Sequence, residues 1–83
     1  MNFIAEINVM PLKELLDPQG KAVAGSMKNL NLNEIADIRI GKHITMKLAA
    51  DTREAAETKV KTACDKLLAN PIMEYYEFDL QEA

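Results

Sequence analysis

Apolar and polar residues alternate over "FIAEINV" near the start of the chain, which puts Phe3, Ala5, Ile7 and Val9 on one face. A period of two is that of a half-buried strand. Met10-Pro11 ends it, since the residue before a proline is restricted and the proline has no N–H to offer a ladder. The period then lengthens. Val23, Met27 and Leu30 fall at i, i+4, i+7, one stripe of a helix that should start near Pro18. Asp17 can accept hydrogen bonds from the free N–H groups of its first turn. Pro18 at the first helical position gives up an N–H that has no partner there anyway. Asn31 suits the end of this helix because Asn tolerates the left-handed conformation.

Alternation returns in "EIADIRIGKHITMKLA". Ala36, Ile38 and Ile40 share a face, as do Ile44, Met46 and Leu48, and Gly41-Lys42 reads as a two-residue turn with Gly at a positive φ. The segment predicts a β-hairpin. A second helix is predicted over residues 52–69, with Asp51 and Glu54 in a capping-box-like start. Ala56, Val60, Ala63 and Leu67, flanked by Cys64 and Leu68, form its broad apolar stripe, and Asn70-Pro71 stops it. "IMEYYEFDL" predicts a long last strand, with Ile72, Tyr76, Phe78 and Leu80 on one face and Glu74 out of place among them.

The order is βαββαβ. With right-handed crossovers it builds an α+β, ferredoxin-like unit: a four-stranded antiparallel sheet with two helices on one face. The helices should cover Phe3, Ile7, Ile38, Ile44, Met46 and Phe78. The other face should carry Ile4, Glu6, Ile35, Arg39, His43, Lys47, Met73, Tyr75 and Glu77, which is neither cleanly polar nor cleanly apolar. Ile4, Ile35, Met73 and Tyr75 are therefore expected to mediate self-association.

With 83 residues, one domain over 1–83 is the sensible count, and a core this small often needs oligomerisation for stability. Apolar residues make up 48% of the chain, as in folded globular proteins. Cys64 is the one cysteine, so no internal disulfide or zinc-type cluster is available, which fits a reducing cytoplasm. The start "MNFIAEINVM" has no basic leader and does not read as a signal peptide. No apolar run approaches the roughly 20 residues of a membrane span. A net charge of -3 argues against a broad nucleic-acid footprint, and the central strands lack the exposed aromatics that stack RNA bases in this fold: the first offers only Phe3, on the helix-covered face, and "HITMKLA" has none.

Candidate chemistry is sparse. His43 sits beside the expected turn with no designated nucleophile or orienting carboxylate, and reads as a surface residue. Cys64 lies on an apolar stripe and reads as a structural thiol. Gly20 is more informative, because Gly in a helix costs about 1 kcal/mol relative to Ala. Either an anion sits at the helix start or another piece of protein packs close. Asp17 already brings a negative charge there, which favours close packing. Arg39, Lys42, His43 and Lys47 cluster at the expected hairpin tip, either as a solvated tip or as a docking surface for an acidic patch or phosphate. The residues alone leave two classes open: an assembly subunit, or a stand-alone regulatory domain that binds a small molecule.

"LLDPQGKAV", then "IRIGKHITMKL", then "LLANPIMEYYEFDL" together resemble the PurS family, the small subunit of phosphoribosylformylglycinamidine (FGAM) synthase. The resemblance spans essentially the whole chain. Its specificity lies in the order and spacing of Asp-Pro-Gln-Gly, Arg-x-Gly-Lys and Leu-Leu-Ala-Asn-Pro-x-x-Glu. Asn31 departs from the Gly that commonly follows the first helix, but it can adopt the same positive-φ cap. The resemblance implies a subunit without catalytic residues in de novo purine biosynthesis. Its partners would be a glutaminase subunit and a large synthetase subunit, with ATP and Mg on the large one. It also implies help with ammonia transfer between them. Asp17, Gln19, Gly20, Arg39 and Lys42 match the motifs and are the expected partner-binding residues.

Overall fold

The computed structural model describes residues 1–15 and 17–83. Leu16, part of the first matched motif, lies outside the described residues. Three strands and two helices run in the order β1 (Asn2–Pro11), α1 (Pro18–Met27), β2 (Lys42–Ala49), α2 (Arg53–Ala63) and β3 (Glu74–Glu82). A 3-10 turn, Lys28–Leu30, extends α1, and a π-helical turn, Cys64–Leu68, extends α2. The sheet is antiparallel in the order β2-β1-β3. Fold class is thus α+β, as expected.

β1 is central because its alternation buries every second residue. Phe3, Ala5, Ile7 and Val9 are each at most 1% exposed. Against them pack Ala56 and Val60 of α2 and Cys64 of its π-helical extension, with Leu80 of β3. Ile44, Met46 and Leu48 of β2 and Tyr76 and Phe78 of β3 flank this core half-buried. Thr52, not Asp51, caps α2: its hydroxyl accepts from Ala55 N–H at 3.1 Å. Its extended backbone (φ -137°, ψ 164°) aims the short side chain at that N–H.

Leu67, expected on the buried stripe, is 82% exposed. The wider π turn explains it: an extra residue per turn advances the helix phase, so Leu68 instead of Leu67 reaches the core. Ile72, expected on the inner face of the last strand, is 80% exposed in the turn before β3. Its N–H is held by Asn70 Oδ1 (3.0 Å), which keeps it out of the ladder.

The larger correction concerns residues 31–41. The expected hairpin does not form, so the sheet has three strands among the described residues, not four, and residues 35–41 are irregular. Gly41 has no positive φ. What it provides is space, since a Cβ there would collide with the Val9 carbonyl oxygen and the Met10 sulfur. The chain passes straight over the end of β1 instead of folding back. Two tethers hold it: Asp17 Oδ2 accepts from Ile40 N–H (2.8 Å), and the Arg39 guanidinium donates to the Pro11 carbonyl.

Nor do both helices cover the sheet. No α1 side chain joins the core cluster, and Val23 and Leu30 are 36% and 64% exposed. Gly20, the buried residue of α1, faces the Ile38 carbonyl instead. Asn31, at φ 60°, ends this unit in the left-handed conformation expected of it. The outline is accordingly long, 52 × 26 × 14 Å, with a radius of gyration of 16.5 Å. A compact chain of this length would have about 12 Å.

Candidate functional site

The three sequence motifs meet at one end of the molecule, where β1 stops and β3 starts. Asp17 is the centre. Its Oδ1 accepts from Gly20 N–H (3.0 Å) and its Oδ2 from Ile40 N–H (2.8 Å). These two backbone donors, with the nearby Arg39 charge, hold the Asp17 carboxyl below its ordinary pKa. One carboxylate thus caps α1 and fixes the segment that follows the α1 arm. Gly20 makes this possible, because a Cβ would lie 2.6 Å from Asp17 Oδ2 and nearer still to the Ile38 carbonyl.

The third motif supplies the opposite wall. Asn70 N–H donates to Glu74 Oε1 (2.8 Å), and Glu74 N–H donates to the Asn70 carbonyl (2.7 Å). This reciprocal pair explains why a carboxylate occupies an inward position of β3. Leu12 N–H donates to the Met73 carbonyl (2.9 Å), which sews the β1 exit to the same turn.

Between the walls lies a groove of about 380 Å³. Pro11, Leu15, Pro18, Ile40 and Met73 give it apolar sides, while Asp17, Gln19, Asn70 and Glu74 add polar groups. On the other side of Asp17 a second cavity of about 340 Å³ is lined by Lys13, Lys21 and Arg39, with Asp37 among them. Asp17, Gln19, Gly20 and Arg39 of the expected partner-binding set are thus brought together, and Lys42 begins β2 opposite Val9 close by. Ile40, Met73 and Glu74 were missed as groove residues, although each lies inside a quoted motif.

Of the expected self-association residues, Met73 and Tyr75 lie together at the end of the molecule where β3 starts, and Ile4 lies far from them. Ile4 pairs with Gln81 and Tyr75 with Met10, near opposite ends of β1. Six residues of strand separate them, about 20 Å. Ile35 lies on the irregular segment and Met73 in the groove.

The outer sheet face is polar at its centre, with Ile4 and Tyr75 towards its ends. His43 Nε2 lies 2.5 Å from Glu6 Oε2 and its Nδ1 2.7 Å from Asn8 Oδ1. The His43 and Thr45 hydrogen bonds lower the Glu6 pKa. No nucleophile stands in this cluster. Cys64 is buried, and burial pushes its thiol pKa up, away from the thiolate that chemistry would need. Among the described residues no group of acidic, His or Cys side chains is placed to hold a metal ion. No helix among the described residues is long and apolar enough to cross a membrane.

The site is built from backbone tethers and a groove, and no reactive pair stands in it among the described residues. Comparison with known proteins decides its kinship: the family model PurS, phosphoribosylformylglycinamidine (FGAM) synthase, matches residues 4–82. The chain belongs to the PurS family. It is 40% identical over 72 residues to the FGAM synthase subunit PurS of Bacillus subtilis, covering 86% of this chain and 84% of that protein. The fold is shared with Thermus thermophilus PurS at a TM-score of 0.83 and 37% identity, over 100% of this chain and 99% of the other. A chain in the structure of PurLQS from Thermotoga maritima matches at a TM-score of 0.88 and 30% identity, over 98% and 99% of the two chains. The quoted motifs therefore pointed to the right family, one of a purine-biosynthesis ligase.

Proposed function

We propose that this chain is the non-catalytic small subunit of FGAM synthase. It assembles the glutaminase subunit with the large, ATP- and Mg-binding synthetase subunit and assists ammonia transfer between them. One observation carries the reading: all three motifs of the family converge on one end of the molecule, where they fix backbone and shape a groove instead of building a reactive site. The chemistry makes such a subunit useful. Ammonia released into water at neutral pH becomes ammonium, which is no nucleophile, so partners sealed together keep it reactive by excluding water.

The same reading includes self-association. In this chain α1 and its 3-10 extension keep Val23 and Leu30 exposed, β2 has a free edge, and residues 35–40, just before Gly41, belong to no strand ladder. These are the missing parts of a four-stranded, ferredoxin-like unit, held apart within one chain. A second copy completes the unit when residues 35–40 of each chain join the β2 edge of the other. A free edge of this length otherwise invites unwanted pairing.

Reconstitution tests the function. Glutamine-dependent FGAM formation by the glutaminase and synthetase subunits should require this chain, while the chain alone hydrolyses neither glutamine nor ATP. Restoration of activity without it contradicts the assembly role. Tight calorimetric binding of an amino acid or nucleotide to the isolated chain supports the regulatory-domain reading instead. For self-association, sedimentation equilibrium showing a monomer at high micromolar concentration refutes the two-copy arrangement.

A further inference from the structure

Resting on that assembly role, the geometry points to the groove between the α1 start and the Asn70–Glu74 turn as a socket for one kind of partner segment: an apolar side chain adjoining an arginine or lysine on a partner subunit of the synthase. Charge complementarity singles out this occupant. Both charged residues of the groove are carboxylates, Asp17 and Glu74, and no Lys or Arg lines it among the described residues. Asp17 is held ionised by two backbone N–H groups, and Glu74 is oriented by Asn70 N–H. Both charges are therefore fixed before a partner arrives, so little ordering is left to bind it. Lys13, Lys21 and Arg39 line the second cavity, which shares Asp17 and Leu15 with the groove, and the Arg39 guanidinium is taken up by the carbonyl of Pro11 on the groove wall. An incoming cation thus finds two carboxylates and, among the described residues, no lining cation in the groove, against three cations beside Asp17 and Asp37 in the second cavity. Around the carboxylates, Leu15 and Met73 are 39% and 53% exposed, large apolar side chains left at the rim. Met is adaptable enough to seat an apolar anchor of varied shape. Gln19 adds a free amide at the edge, engaged by no hydrogen bond among the described residues. A guanidinium bonded to two carboxylates beside an apolar contact is the kind of pairing that dominates protein interfaces.

The two-copy arrangement uses residues 35–40 and the β2 edge; of the residues that line the groove it takes up only Ile40, so Asp17, Gln19, Met73 and Glu74 stay available in it. The test uses the full chain titrated into the glutaminase and synthetase subunits, read by glutamine-dependent FGAM formation at limiting small subunit. Met73→Lys and Gln19→Lys place a like charge where the partner's cation sits, and both positions are exposed enough to keep the fold, which circular dichroism verifies. Each Lys variant should raise the half-saturating concentration about tenfold or more, while Met73→Leu stays within about twofold. Added salt should weaken the native chain more than the Lys variants, because the native chain has the attraction to screen. Unchanged titration by both Lys variants overturns the socket. So does loss of self-association in sedimentation without loss of partner binding, which would put a second copy in the groove. If the native chain supports no activity at any concentration, the assembly role itself fails, a separate outcome from failure of the groove.

Discussion

Gly20→Ala and Gly25→Ala lie five residues apart in one ten-residue helix and should move stability in opposite directions. Both replacements gain about 1 kcal/mol in helix propensity. At Gly25 nothing lies within 4 Å of the added Cβ, so the gain stands. At Gly20 the Cβ would sit 2.6 Å from Asp17 Oδ2 and closer still to the Ile38 carbonyl, where ordinary contact starts at 3.4 Å. The obstacles are a backbone oxygen and a carboxylate fixed by two N–H groups, and neither can swing aside. Overpacking of this kind costs about 1–3 kcal/mol. The net effect is a loss of about 1 kcal/mol against a gain of the same size at Gly25, a spread of about 2 kcal/mol between the variants. For a domain of this size each kcal/mol shifts Tm by roughly 4–8 °C, so the two melting curves should bracket the native one. Urea unfolding followed by circular dichroism at fixed chain concentration measures both. If the two Ala variants shift the midpoint in the same direction, the close approach of residues 38–40 to α1 is not what Gly20 serves.

Acid stability should reflect Asp17. Its folded pKa lies below the ordinary value because Gly20 and Ile40 N–H groups bind the carboxylate, so its contribution is full above about pH 4, the unfolded carboxyl range. It is lost as pH falls through the folded value, and Asp17→Asn should flatten that limb of a stability–pH curve. Val60→Ala, at a fully buried position, should destabilise by about 2 kcal/mol in urea titration without altering the groove. Cys64 should react with a thiol reagent far more slowly in the native chain than in urea, because burial both shields it and raises its pKa. Tyr76 donates to Asp65 and has its pKa pushed up to about 12, and Asp65→Asn should bring its ultraviolet titration down towards 10.

The candidate site was half legible. "DPQG" announced a capped helix with an anomalous glycine, and the physical answer, a backbone passing close, was one of the two options the residues allowed. That the backbone belongs to Ile38 was not legible, because the pairing spans residues far apart in sequence. Glu74 was visible as a misfit in a strand and invisible as a groove wall, since its partner, the Asn70 N–H, depends on how the turn closes.

Local pattern determined what is local. Period-two alternation fixed β1 and the buried residues Phe3, Ala5, Ile7 and Val9, and the caps at Asp17 and Asn31 follow from side chains that bind or permit their own backbone. Family membership was also carried by the chain alone, in motifs whose order and spacing are specific. Tertiary structure decided the rest. Residues 35–41 have a hairpin's pattern, yet Asp17 and Pro11 capture Ile40 and Arg39 and hold them along α1 instead. Leu67 has a core residue's spacing, yet one π turn rotates it to solvent. Periodicity tells which residues can share a face, but partners distant in the chain compete for the same backbone groups and determine which face is buried.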